Sequence, residues 1–377
     1  MLGPMPFRLF ANPRCGKPVA DVLPDAGFRQ AKAAITAWDG YVATPLHDLP
    51  ALAQGAGLGT VRLKDEATRF GLGSFKALGG AHAVALAVAE AGGAALTVTC
   101  ATDGNHGRAV AWGAQRLGCG CVIFVHTGVS QGRVDAIARY GADVRRVAGT
   151  YDDAVREAAR QAKANGWCLV SDTSWSGYVD VPRQIMQGYR VMADEAAEQW
   201  TGPPPTHVFV QGGVGGVAAA VSVHMRARFQ PVPALIVVEP DRAACLLASA
   251  ELDAPATVPG DLDTLMAGLA CGEPSLLAWQ ELDHAAAAFM AIPDEAAVAC
   301  MWLLAGHGVL GGESGVAGLA GCLLAAADPA ASEMLGLDGA SRVMAFNTEG
   351  PTDPALFELL VGTRPDRAGT STRDVGG

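Results

Sequence analysis

One lysine stands among glycines and apolar residues in Arg69-Phe70-Gly71-Leu72-Gly73-Ser74-Phe75-Lys76-Ala77-Leu78-Gly79-Gly80. Upstream, Thr60–Leu63 has the make-up of a short strand. Downstream, the Ala-, Leu- and Val-rich run Ala77–Ala91 predicts a helix, because no proline interrupts it. Lys76 therefore sits where a loop enters a helix. Apolar surroundings disfavour an ammonium ion, so the expected pKa of Lys76 is lowered. A neutral amine there can attack an aldehyde. The alternative is a surface lysine with no role.

Two further loops carry residue types suited to chemistry. Gly212-Gly213-Val214-Gly215-Gly216 lies between the strand His207–Val210 and the helix Val217–Phe229. Its glycines let the backbone approach an anion and aim N–H groups at it, and the helix dipole adds to the attraction. The loop lacks the lysine and serine of a nucleotide-phosphate loop and the spacing of the dinucleotide fingerprint, so it suits a single phosphate group. A tight strand-to-helix turn without a ligand is the alternative. Thr102-Asp103-Gly104-Asn105-His106 also precedes a helix. Helix capping explains one of these residues. The rest suit an amide held to a phenolic oxygen and N–H groups held to a substrate carboxylate. Asp172, after the apolar pair Leu169-Val170, reads by residue type alone as a helix cap or Asx-turn.

The elements that must position these loops alternate. Strands are expected at 95–100, 121–125, 143–147 and 167–170, with helices at 109–117, 131–140 and 151–164 between them. That alternation implies a parallel sheet with right-handed crossovers. A long helix over 178–199 returns the chain to the first unit. Strands at 234–238 and 341–346 and helices at 294–305 and 315–327 follow, while 245–295 reads as loop-rich. Residues 1–40 read as irregular apart from a polar helix near 25–38. In an open α/β sheet, ligands bind at the carboxyl ends of the strands, where all the chemistry-bearing loops fall.

Half of the 377 residues are hydrophobic and 17% are charged, enough for two α/β units with large cores. A net charge of −11 argues against nucleic acid as a partner, while leaving room for a small anion held by backbone dipoles. The nine cysteines form no Cys-x-x-Cys pair and mostly lie in apolar runs, which indicates thiols in a reducing, cytoplasmic setting. Cys245 and Cys271 fall near expected loops, and a bridge between them is an open alternative. Neither a secretory leader nor a charge-free run long enough to cross a bilayer is expected.

Taken in order, the Gly-Ser-Phe-Lys loop, the Gly-Asn-His loop and the glycine loop resemble the fold type II pyridoxal-phosphate enzymes, the tryptophan synthase β-like superfamily. Leu63-Lys64-Asp65-Glu66 matches the same pattern. Arg69–Leu72, Ala101–Arg108, Asp172-Thr173, Met186–Tyr189, Met266–Pro274, Gly312–Gly315 and Asn347–Gly350 are similar to the diaminopropionate ammonia-lyase branch, and the likeness runs from about residue 44 to 360. This resemblance implies a two-domain α/β fold in which each domain is an open, mostly parallel twisted sheet flanked by helices. Residues 1–90 and 180–363 would form the large cofactor-binding domain, 91–179 a small mobile domain, and 364–377 a disordered tail.

It also implies pyridoxal 5'-phosphate bound covalently to Lys76, with Asn105 toward the phenolic oxygen. Gly212, Gly213, Val214, Gly215 and Gly216 would hold the phosphate, and Thr348 would face the ring nitrogen. Ser74, Thr102, Asp103, Gly104 and His106 would meet a small amino-acid substrate, with no metal. Lys76, Asp103 and Asp172 would carry the catalysis. Asp103 stands where serine and threonine dehydratases have a small residue, which favours a diamino acid over a hydroxy amino acid. The implied reaction is α,β-elimination from 2,3-diaminopropionate, D or L, in a homodimer. A serine/threonine dehydratase-type activity is the alternative within the superfamily. A catalytically silent binding protein, or a phosphate-sugar or nucleotide enzyme using the glycine loop alone, leaves Lys76 or the Asn-His loop unexplained. Two positions depart from the pattern. Pro351 replaces an expected acidic residue beside Thr352-Asp353, which weakens Asp353 as a site residue, and Gly73 replaces a larger one.

Overall fold

The structure is a computed structural model that describes residues 2–362. The tail expected to be disordered, 364–377, lies outside the described residues. Among the described residues eleven strands are present: β1 (Arg8–Ala11), β2 (Leu46–Asp48), β3 (Thr60–Asp65), β4 (Thr97–Ala101), β5 (Gly120–His126), β6 (Asp143–Val147), β7 (Cys168–Leu169), β8 (His207–Gln211), β9 (Ala234–Pro240), β10 (Ala286–Ile292) and β11 (Arg342–Asn347). They form a seven-stranded sheet in the order β1-β10-β9-β8-β11-β3-β2 and a four-stranded sheet in the order β6-β5-β4-β7. The smaller sheet is parallel throughout. The larger is parallel in its five central strands, and its antiparallel edges are β1 on β10 and β2 on β3. This is the two-sheet α/β architecture expected from the alternation and the resemblance.

The central strands of the large sheet are buried on both faces, as Val208, Phe209, Val210, Ile236, Val237 and Val238 show with no exposed surface. Helices cover both sides, which is the usual condition for parallel strands. The helix Lys76–Ala91 packs between Asn105–Leu117 and Asp180–Gln199. Its contact with the latter depends on two glycines. A Cβ at Gly188 would lie 1.9 Å from the carbonyl oxygen of Leu78, and one at Gly79 would lie 2.4 Å from the Tyr189 ring. The backbones therefore meet where Lys76 enters its helix.

The strands and helices expected between 60 and 238 form within a few residues of their predicted limits. The stretch 245–295 does not stay loop-rich. It holds the helices Cys245–Leu252 and Leu276–Ala285 and the strand β10. Ala286-Ala287-Ala288-Phe289-Met290-Ala291-Ile292 lacks both alternation and β-branched enrichment, so nothing local marks a strand. Pairing with β9 on one side and β1 on the other makes it one. β1 itself was hidden in the stretch read as irregular, because four residues with no alternation carry no local signal. The helices Pro329–Leu335 and Pro354–Val361 were likewise not foreseen.

Gly188→Ala is expected to destabilise the protein by about 1–3 kcal/mol, the usual penalty for forcing a methyl into a filled contact. Urea unfolding monitored by circular dichroism measures it, and an unchanged midpoint would contradict the close backbone approach.

Candidate active site

The cleft lies at the carboxyl ends of the parallel strands, between the two sheets. Lys76, Asp103, Asp172, Gly213 and Thr348 are among the residues that line it. Its empty volume is about 860 Å³, a figure that includes the solvent at its open mouth.

Lys76 begins its helix with its aliphatic stem near aromatic rings. Its Nζ is 5.3 Å from the centre of the Phe75 ring and 5.6 Å from that of Tyr189. The amine donates to Oδ2 of Asp172 at 2.6 Å. Burial disfavours the ammonium, yet the Asp172 carboxylate outweighs it, and the lysine pKa is raised well above its ordinary value. This corrects the expectation of a lowered pKa. The apolar neighbours were legible in the sequence, but the carboxylate 96 residues away was not. Asp172 answers in kind. Burial pushes its pKa up, and the His106 imidazole, the Lys76 ammonium and hydrogen bonds from Lys76 and Tyr151 carry it well below the carboxylate range.

Tyr151 opens the helix Tyr151–Asn165 and donates its hydroxyl to Oδ1 of Asp172 at 3.0 Å. Asp172 is therefore held through both oxygens, not spent on a helix cap. His106 has one ring nitrogen 2.7 Å from the Val170 carbonyl and the other 3.8 Å from Asp172. Burial, opposed by Asp172, lowers its pKa. In the neutral imidazole the Val170 carbonyl makes Nε2 the protonated nitrogen.

Asp103 is buried beside His126, whose Nε2 is 3.0 Å from Oδ1. Burial raises its pKa despite the imidazole. Thr102 uses its hydroxyl oxygen to accept from the N–H groups of Gly104 and Gly107, which shapes the loop before the helix Asn105–Leu117. Asn105 is fixed at both ends of its amide. Arg108 donates to its oxygen at 2.7 Å, and its nitrogen donates to Glu349. Glu349 also accepts from the N–H of Ser314 at 3.1 Å. Arg133 pairs with Glu313 across the same rim. Burial and the nearby Glu349 push the Glu313 carboxyl up to about 7 against the pull of Arg133.

The five residues of the glycine loop have different jobs. Gly213, Val214, Gly215 and Gly216 line the cleft, and Gly212 does not. A Cβ at Gly212 would meet Leu246 and Val237 at 2.7 Å, so the glycine there serves packing. Gly215 has φ 96°, a left-handed conformation, and leads into the helix Gly216–Arg228. At Gly216 an added Cβ would come no nearer than 3.7 Å to its neighbours, so the protein would admit a side chain and the missing one leaves cleft space. Free N–H groups of a first helical turn around that space make an anion cradle. With an amine, an amide and a hydroxyl (Lys76, Asn105 and Thr348) on the same cleft, the donor set fits pyridoxal phosphate.

Ser74 is not among the lining residues. It is buried and its backbone bridges to Glu349. Asp353 caps the helix Pro354–Val361 and accepts from Ser130, also outside the lining. Cys245 and Cys271 are buried free thiols, so the bridge left open above is not formed. Among the described residues no group of three His, Cys, Asp or Glu is placed to hold a metal ion, and no helix is long and apolar enough to cross a membrane. Tyr151, Tyr189, Arg133, Gln211 and Glu349 line the cleft without having been singled out. Glu349, Gln211 and Tyr189 stand in stretches flagged for their neighbours, whereas the helical Tyr151 and Arg133 carry no local signal.

Residues 37–343 match the family described as pyridoxal-phosphate dependent enzyme. The chain belongs to that family. It is 40% identical over 351 residues to a diaminopropionate ammonia-lyase of Escherichia coli K12, covering 85% of this chain and 88% of the relative. The Salmonella typhimurium enzyme of the same name is 39% identical over 357 residues, with the same coverage. The crystal structure of the Escherichia coli enzyme in complex with an aminoacrylate–pyridoxal phosphate azomethine reaction intermediate superposes with a TM-score of 0.88 at 36% identity, covering 94% of this chain and 97% of that one.

The ion pair has a definite pH signature. The folded pKa of Lys76 is raised, so its contribution is fully present at neutral pH. That of Asp172 is lowered, so its contribution is present above the unfolded carboxyl value of about 3.9 and lost as the pH falls below it. In the cofactor-free protein, Asp172→Asn removes the countercharge and leaves burial to act alone. The midpoint of the pH dependence of Lys76 labelling by an amine reagent should fall by about 1–3 units. A midpoint that stays put would refute the pairing.

Proposed function

We propose that the protein is a pyridoxal-phosphate-dependent ammonia-lyase that converts 2,3-diaminopropionate to pyruvate and two molecules of ammonia. The observation that carries this reading is the convergence of one amine, Lys76, and two buried carboxylates, Asp172 and Asp103, on a cleft with an anion cradle. When bound, the cofactor supplies an aldehyde that takes up the substrate's α-amine and a ring that delocalises the electrons left by the α-proton.

The chain's own residues do the rest. Gly213, Val214, Gly215 and Gly216 bind the phosphate, Asn105 the phenolic oxygen, and Thr348 the ring nitrogen. A hydroxyl at 348, unlike a carboxylate, leaves that nitrogen unprotonated, which suits elimination over transamination. The Asn-His loop, from Thr102 to His106, receives the substrate carboxylate on its N–H groups. Lys76, once its nitrogen is free, takes the α-proton on one side. Asp103 and Asp172 reach the substrate from separate loops, and either as proton acceptor admits the opposite enantiomer. The β-amine leaves as ammonia after gaining a proton. The remaining enamine tautomerises, and water hydrolyses it to pyruvate and the second ammonia.

Asp103 supports a diamino substrate. A buried carboxylate complements the charge of a β-ammonium, which the neutral hydroxyl of serine does not carry. The relatives named diaminopropionate ammonia-lyase support the same choice. The division into 1–90 with 180–363 and 91–179 belongs to this proposal, supported by the presence of one sheet in each part. So do a homodimeric state and a cytoplasmic location. All nine cysteines are free thiols, in keeping with a reducing compartment.

Two experiments test the reading. Lys76→Ala should abolish the absorbance of the lysine-bound cofactor and lower pyruvate formation by about 10²–10⁴-fold or more, the scale for loss of a positioned acid–base group. An unchanged spectrum defeats the assignment. Second, pyruvate release from D- and L-diaminopropionate should greatly exceed that from serine or threonine, and Asp103→Asn should impair one enantiomer more than the other. Faster turnover of serine would favour the dehydratase reading, and equal slight losses would remove the role of Asp103.

A further inference from the structure

Gln211 is the last residue of β8 and has 1% of its surface exposed. Its amide nitrogen stands 2.7 Å from the Gly315 carbonyl, 3.3 Å from that of Phe346 and 2.5 Å from Oγ1 of Thr348. Two of these neighbours are carbonyls, which only accept, so the amide must present its N–H groups on that side. Its own oxygen is turned away and is buried without a hydrogen-bond partner among the described residues. Gly318 makes room for it, since a Cβ there would lie 3.0 Å from that oxygen. Reversing the amide would set oxygen against three oxygens, so the orientation holds despite the orphaned acceptor.

This has a consequence for Thr348. A hydroxyl carries one proton and two lone pairs. The N–H of Gln211 occupies a lone pair, and the Thr348 proton is left for an acceptor in the cleft that both residues line. We infer that Gln211 is a positioning residue that locks Thr348 as a hydrogen-bond donor toward the pyridine nitrogen of the cofactor. The inference rests on the role given to Thr348 above. It makes the unprotonated ring a property of two side chains. Without Gln211 the hydroxyl could turn its proton toward that side; with the amide N–H there, the proton is turned to the cleft, where an unprotonated ring nitrogen accepts it.

The test is the nitrogen signal of holoenzyme loaded with ring-¹⁵N pyridoxal phosphate, together with cofactor retention on dialysis. Thr348→Val removes the donor directly and serves as the benchmark. Gln211→Met, close in volume, and Gln211→Leu each remove the amide and leave the threonine. Both should move the ring signal in the same direction as Thr348→Val and weaken cofactor binding about three- to tenfold, the scale of one hydrogen bond. The Gln211→Met, Thr348→Val double variant should move the signal no further than Thr348→Val alone. A wild-type ring signal in either folded Gln211 variant, with Thr348→Val shifted, overturns the lock and leaves the role of Thr348 intact. A wild-type signal in Thr348→Val overturns both. Loss of thermal stability without a change in the ring signal counts against the inference, because it marks a packing role alone.

Discussion

A salt bridge between Lys76 and Asp172 organises the cleft. Neither charge would persist alone at this depth, because burial drives a lysine and an aspartate toward their neutral forms. Together they stay ionised, with the lysine pKa raised and the aspartate pKa lowered. The pair spans the two sheets. Lys76 follows β3 of the large sheet and Asp172 follows β7 of the small one. Keeping the charges 2.6 Å apart therefore requires both sheets to present their carboxyl ends to the same space.

Glycine makes that convergence physically available in two ways. At Gly79 and Gly188 the missing side chains let two helices touch by their backbones, which brings the start of the lysine helix down onto Tyr189. In the loop after β8, Gly215 takes a left-handed turn and Gly216 leaves open the space an anion needs, while Gly212 serves the packing beneath. Residues of one type thus support the scaffold at some positions and shape the ligand site at others.

Around the cleft, several polar side chains are held by other side chains. Arg108 and Glu349 grip opposite ends of the Asn105 amide. Tyr151 steadies Asp172, and Gln211 meets Thr348. In a buried setting such partners fix which group donates and which accepts, and that polarity matters as much as position for a site that moves protons. Glu349, Tyr151 and Gln211 each come from a different segment of the chain than the residue they hold.

Much of the architecture was legible in the chain itself. The alternation of apolar runs and helical stretches between 60 and 238, and glycines clustered at strand ends, mark a parallel α/β fold because these patterns reflect local periodicity and turn geometry. The loops carrying Lys76, Asn105 and the glycines could be picked out by type and order, and that of Thr348 by the resemblance. Contacts between distant segments could not. β10 became a strand only through its sheet neighbours, and Ser74 and Gly212 proved to be buried away from the cleft in spite of their motifs. The charge on Lys76 reversed the expectation from its apolar neighbours, since electrostatic energy depends on distance through space and Asp172 is close only once the chain has folded.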